Sequence, residues 1–365
     1  MGLLGSYTYD ALNRPTAIYW NGQRDDWFSG DFAEQISYNN VGNITRSARE
    51  IGNFDYQYDG VDQLSQVAFS GRHLGGEVNR TFGYDAVGNR IQDTYRGPAQ
   101  FIANNIMQDG KTSFESDIFG FGTLAEEKDR RNRSAKRYAY RSDGRMTEFE
   151  ASRDDDFEYG THIEYYFDAL GRRIAKKVGF IDDNDHSGCD RRRGIHRHEH
   201  SFTQSYNYFI DQDKVMMARA GDGDLSLYLD GQGIDEPFGE IRERKVRGYV
   251  VDHLGSVLNS PAAGGKKAFG AFGESLGARP RFLNRNTDPV MYGYTGRSLD
   301  VESGFYYLRN RMLDTRTGRF TSRDPIGFAG GDVNHYRYVA NKPLSFTDPM
   351  GLTEQDIQNA ITLAG

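Results

Sequence analysis

The sequence predicts an all-β chain of antiparallel hairpins set side by side, and three observations carry that expectation. Glycine fills 43 of 365 positions, and tyrosine and phenylalanine 23 each; aromatic rings favour pleated strands and glycine marks the turns between them. A seven-residue pattern close to Tyr-Asp-x-x-Gly-Asn/Arg-x recurs six times. Helical periodicity is scarce, and its best stretch is 353–363, where Ile357 and Ile361 stand four apart.

The repeats run YDALNRP from Tyr9, YNNVGNI from Tyr38, YDGVDQL from Tyr58 and YDAVGNR from Tyr84, with weaker copies YRSDGRM from Tyr140 and FDALGRR from Phe167. In each, the aromatic ends a strand and turns inward, and the Asp bonds turn amides as Asx-turns do. The Asn or Gly three positions after it tolerates positive φ; Asp62 fills that slot in the third copy and is the least permissive choice. An alternating strand such as 89–93 follows, so each unit is a strand–turn–strand hairpin, and a row of them makes one long sheet. An ordinary sandwich with similar turns is the bland alternative. Stretches 97–137, 150–162 and 178–205 read as inserts, because charge runs such as EEKDRRNRSAKR are usually solvated loops.

Composition narrows the function. A net charge of −7 repels nucleic acid and anionic membranes, so no nucleic-acid partner is expected. Arginine makes up 35 of the 45 basic residues and suits strand surfaces and paired carboxylates. The single cysteine, Cys189, excludes an intramolecular disulfide. No apolar run is long enough to span a bilayer, and residues 1–9 are too short and uncharged for a signal peptide. Export, if it occurs, needs a dedicated apparatus.

The C-terminal third carries the specific motifs: YVVDHLGSV (249–257), FGAFGES (269–275), and then GFYYLRNR, GRFTSRDPIG, YRYVANKPL and DPMGL in order through 292–352. Together with the Tyr-Asp units these resemble the RHS/YD-repeat proteins, and 292–352 resembles their repeat-associated core domain over its whole length. The resemblance implies repeats over 1–248, a core domain over 249–352 and the start of a variable toxin segment over 353–365. It implies a β-shell, or cocoon, that encloses a C-terminal toxin, with the core domain as plug. It also implies a bacterial protein made in the cytoplasm and delivered into competitors by a secretion apparatus such as type VI. The expected partners are its own toxin segment and the N-terminal remainder of the shell. Thirteen residues after Leu352 are too few for a folded toxin, so the sequence reads as a fragment or a remnant.

The same resemblance implies a cut between Leu352 and Thr353. Peptide hydrolysis by carboxylates needs one ionised and one protonated partner, and two close aspartates supply them because repulsion separates their pKa values. Asp324 and Asp348 take the family's catalytic positions and Arg311 that of an assisting arginine. Pro349 and Gly351 shape the turn that presents the bond. The protein would then be an intramolecular, single-turnover aspartyl autoprotease. From spacing alone, both aspartates read equally as turn formers. An acyl shift from the Thr353 hydroxyl is a second chemistry, and a teneurin-like adhesion or glycan-binding shell that does not cut is the alternative function. Cys189 with His186, His196, His198 and His200 suggests zinc, and 182–185 suggests a calcium loop. Both read better as solvated charge, so no metal and no cofactor is expected.

Overall fold

The computed structural model describes residues 4–25, 28–71, 79–110, 112–117, 123–129, 132–152, 159–182, 201–259, 268–276, 289–352 and 355–356. The chain is almost entirely β. Twenty-one strands, from Leu4–Tyr9 to Lys245–Gly248, pair in sequence order and antiparallel into one meandering sheet. Among the described residues no pairing joins the first strand to the last, so the sheet is not closed.

The Tyr-Asp unit explains the meander. Asp10 Oδ1 accepts from the amides of Leu12 (2.9 Å) and Arg14 (3.0 Å), and the same pair of bonds recurs at Asn39, Asp59, Asp85 and Asp168. The other carboxylate oxygen, Oδ2, binds the side chain four residues on: Arg14 (2.6 Å), Gln63 (2.9 Å), Asn89 (2.9 Å) and Arg172 (2.7 Å). Asp62 does take a left-handed φ of 64° and is held by a 2.8 Å bond from Asn43 Nδ2. Three of the leading tyrosines also tie neighbouring units together. The hydroxyls of Tyr38, Tyr58 and Tyr84 donate to the carbonyls of Pro15, Ile44 and Leu64 at 2.8, 2.6 and 2.7 Å. Each acceptor is the seventh residue of the unit before, so a phenylalanine at that position would lose the tie.

Stretch 97–137 corrects the expectation of an insert. It continues the sheet as Gly97–Ile102, Asn105–Asp109, Thr112–Ser116, Leu124–Asp129 and Ser134–Tyr140. The charge run alternates across a hairpin, which turns Glu127 inward. There it is buried with Lys136 (3.3 Å) and Arg316 (2.8 Å), and this buried pairing is what the linear sequence hid. The described parts of the other two inserts also continue strands, Met146–Ser152, Tyr159–Phe167, Arg173–Asp182 and Ser201–Asp211; residues 153–158 and 183–200, the latter with Cys189, His186, His196, His198 and His200, lie outside the described residues.

The described residues of 249–352 pack on the inner face of this sheet. Phe272, Tyr294, Tyr306, Phe320 and Tyr338 share one buried cluster with Ile18, Phe54, Leu64 and Phe82. Tyr292, Phe305 and Met312 share another with Phe149, Ile163, Tyr165 and Val178. The inner segment has its own five-stranded sheet, Met291–Tyr292, Ser298–Asp300, Phe305–Leu308, Arg311–Asp314 and Arg319–Phe320. Buried ion pairs cross from sheet to inner segment: Glu34–Arg49–Asp252, Arg173–Asp300 (2.6 Å) and Lys176–Glu302 (3.0 Å), and a half-exposed Arg316 closes on buried Glu127. The inner segment reuses the repeat's turn, since Asp252 Oδ1 of DHLGS accepts from Leu254 (3.0 Å) and Ser256 (2.9 Å).

Candidate active site

Two partial copies of that turn, each keeping one of its two amide bonds to Oδ1, meet inside the sheet, and they contain Asp324 and Asp348. Asp324 Oδ1 accepts from the Ile326 amide at 3.0 Å, and the Gly327 amide reaches Asp324 O at 3.1 Å. Asp348 Oδ1 accepts from the Leu352 amide at 2.9 Å, and Gly351 donates to Asp348 O at 3.3 Å with φ 68°. Position four of these turns is Phe328 and Leu352, which have no polar side chain to claim Oδ2. Both Oδ2 atoms turn instead to one nitrogen, Arg311 Nη2, at 2.9 Å for Asp324 and 3.4 Å for Asp348. The turn-former reading and the dyad reading therefore describe the same residues: one oxygen shapes the turn and the other is delivered to the site.

The turn before the expected cut is held by three consecutive residues. Strands Phe305–Leu308 and Arg311–Asp314 pair with Leu308 opposite Arg311, leaving Arg309 and Asn310 as a tight turn. Arg309 Nη1 donates to Pro349 O (2.6 Å), Asn310 Nδ2 to Met350 O (2.9 Å) and Arg311 Nε to Gly351 O. A Cβ on Gly351 would stand 2.5 Å from Leu308 O, so this close approach also needs the glycine. Strand Phe346–Thr347 pairs with Gln355–Asp356, which sets Leu352 in the connection of a hairpin. Thr353 itself lies outside the described residues.

Gly330 brings Leu352 to the carboxyls. A Cβ there would lie 2.9 Å from Leu352 O and 3.0 Å from Asp324 Oδ2, so the carbonyl and the carboxyl face the same bare Cα. Arg311, Asp324, Gly330, His335, Asp348 and Leu352 line one cavity of about 100 Å³. Burial raises the Asp324 carboxyl above its ordinary value, with Arg311 opposing. Burial likewise pulls Arg311 down while both carboxylates push it up, and its guanidinium carbon sits over Phe320, 3.6 Å from the ring centroid.

The structure thus brings together Arg311, Asp324, Asp348, Pro349, Gly351 and Leu352, all expected from the sequence. Reading the sequence missed Arg309, Asn310, Gly330 and His335. Arg309 and Asn310 adjoin Arg311 in LRNR, and that adjacency was the available signal; Gly330 and His335 have none. Among the described residues no group of three or more His, Cys, Asp or Glu is placed to hold a metal. No described helix is long and apolar enough to cross a membrane.

Fold and site together define a repeat-built β-wall around an inner segment that carries a buried carboxylate pair. No protein-family model matches the chain. It is similar to the toxin protein Tse5 of Pseudomonas aeruginosa, 26% identical over 95% of this chain and 31% of Tse5. It is also similar to the probable deoxyribonuclease RhsA of Dickeya dadantii, 23% identical over 97% of this chain and 23% of RhsA. The Tc holotoxin pore of Photorhabdus luminescens aligns with a TM-score of 0.43 and 14% identity, over 98% of this chain and 21% of that one. The chain is thus similar along most of its length to RHS-type toxin and nuclease proteins and spans less than a third of the length of Tse5 or RhsA.

Proposed function

We propose that this chain is the wall and plug of an RHS toxin shell, and that it cuts itself once, between Leu352 and Thr353, with Asp324 and Asp348. The observation that carries the reading is the convergence of both Oδ2 atoms on Arg311 Nη2 beside the Leu352 carbonyl. The raised carboxyl of Asp324 suits the neutral partner that donates to Leu352 O. Asp348, fixed by the Leu352 amide and Arg311, suits the ionised partner that takes a proton from water. The water oxygen bonds to Leu352 C, the bond to Thr353 N breaks, and the amine leaves with a proton. Leu352 ends as a carboxylate, and nothing beyond water is consumed.

On this reading the polypeptide after Leu352 is the cargo, and the shell's remainder and a delivery apparatus are the partners. The protein is made in the bacterial cytoplasm before delivery, for use in competition between bacteria. The relatives named as toxins support this role. The test is cleavage of the full chain and of its Asp324→Asn and Asp348→Asn variants on a denaturing gel. Loss of the cut in both supports the dyad, and a cut in either refutes it.

A further inference from the structure

The proposed cut develops negative charge on Leu352 O, and the arginine beside it is already committed. Arg311 Nε serves Gly351 O, Nη1 serves His335 O at 2.9 Å, and Nη2 serves the two aspartates. Beyond the Asp324 carboxyl, a second donor for the anionic oxygen has to come from elsewhere in the cavity.

We propose that His335 is a further catalytic residue of this site, its Nε2–H donating to the Leu352 oxygen as that oxygen becomes negative. The inference rests on the self-cleavage reading above. His335 lines the same cavity as Asp324, Asp348 and Leu352 and is 8% exposed. Its Nδ1 accepts from Arg323 Nε at 2.8 Å, which assigns the ring proton to Nε2 in the neutral imidazole. Among the described residues Nε2 is buried with no hydrogen-bond partner. A buried donor without an acceptor is costly at rest, and the acceptor proposed for it is the Leu352 oxygen, which lines the same cavity. Such a group favours the transition state over the ground state.

The ring is held still for that task. Phe328 meets it edge-on with centroids 4.6 Å apart. Its backbone carbonyl is gripped by Arg311 Nη1 and by the Asp324 amide at 3.0 Å. Burial and Arg323 lower its pKa, keeping the imidazole neutral. A proton on Nδ1 would displace the Arg323 bond.

The experiment follows the first-order loss of intact full-length chain for the parent, Asp324→Asn, His335→Phe, His335→Gln and His335→Glu. The phenylalanine keeps the ring contact and loses the donor, so cleavage should slow by about 10²-fold, the usual effect of removing one oxyanion donor. Glutamine keeps an N–H at the tip and should recover most of the rate; glutamate, of similar shape but without that donor, should not. A purely structural histidine would make Gln and Glu equivalent. Parental rates in both His335→Phe and His335→Glu overturn this inference and leave the dyad standing. A parent chain that stays whole, or an Asp324→Asn variant that still cuts, overturns the self-cleavage reading and this inference with it.

Discussion

Asp324 and Asp348 each divide their two oxygens between two tasks. In the wall, Asp85 gives Oδ1 to the Val87 and Asn89 amides and Oδ2 to the Asn89 side chain, so its carboxylate is spent on structure. In the inner turns an apolar fourth residue leaves Oδ2 pointing inward, and Arg311 gathers the pair. Replacing either aspartate by asparagine should slow cleavage at least about 10²-fold, the usual contribution of a positioned acid or base, read as the fraction of intact chain over time. Thr353→Ala should leave the rate unchanged under the proposed mechanism, in which water is the nucleophile; loss of the cut in that variant would point to an acyl shift instead. Asp324, Asp348 and Arg311 were legible because the motifs around them stand in linear order. His335 and Gly330 were not, since what marks them is a neighbour across the cavity.

At the scale of the element, the five-residue turn recurs from the wall into the site, and its chemistry was readable from Tyr-Asp-x-x-Gly itself. Stretch 97–137 was not, because a charge run looks solvated until its cross-strand partner is known. Gly351→Ala should cost more than about 1 kcal/mol, since φ 68° is strained for alanine and its Cβ meets Leu308 O. Urea unfolding would show the loss, and the cut should slow with it. The turn at Asp252 gives a pH prediction. His253 Nδ1 lies 3.0 Å from Glu34 Oε1, with Arg49 and Asp252 around them. The imidazole is raised above 6.5 despite burial and Arg49, chiefly by Glu34, and Glu34 is lowered below 4.5 by Arg49 and His253 against the cost of burial. A raised histidine stabilises the fold fully below pH 6.5, and that stability is lost as pH rises through its folded value. A lowered glutamate stabilises above pH 4.5 and is lost as pH falls. The pair is therefore strongest between about 4.5 and 6.5. Melting temperature should fall from pH 6.5 toward 9, and His253→Gln should flatten that decline.

At the scale of the whole molecule, a 21-stranded open sheet is fastened to its inner segment by buried ion pairs as well as by aromatic packing. Arg316→Ala removes a half-exposed partner and leaves Glu127 with Lys136 and Tyr138; with water able to replace the guanidinium, it should cost about 1 kcal/mol. The denaturant midpoint would report it, with earlier proteolysis between wall and inner segment. The all-β class and the inward plug were legible in the repeats and in the core motifs. Closure was not, because it depends on whether two edge strands meet, and a repeat sets only how each strand meets the next. The central claim is that the wall holds two carboxyls against one peptide bond so that it is cut without outside help. The mass of the purified full-length chain, beside that of Asp348→Asn, tests it most directly. The account predicts a parent that ends at Leu352, lighter by thirteen residues, and a variant at full mass; a parent at full mass, or two chains equally shortened, would contradict it.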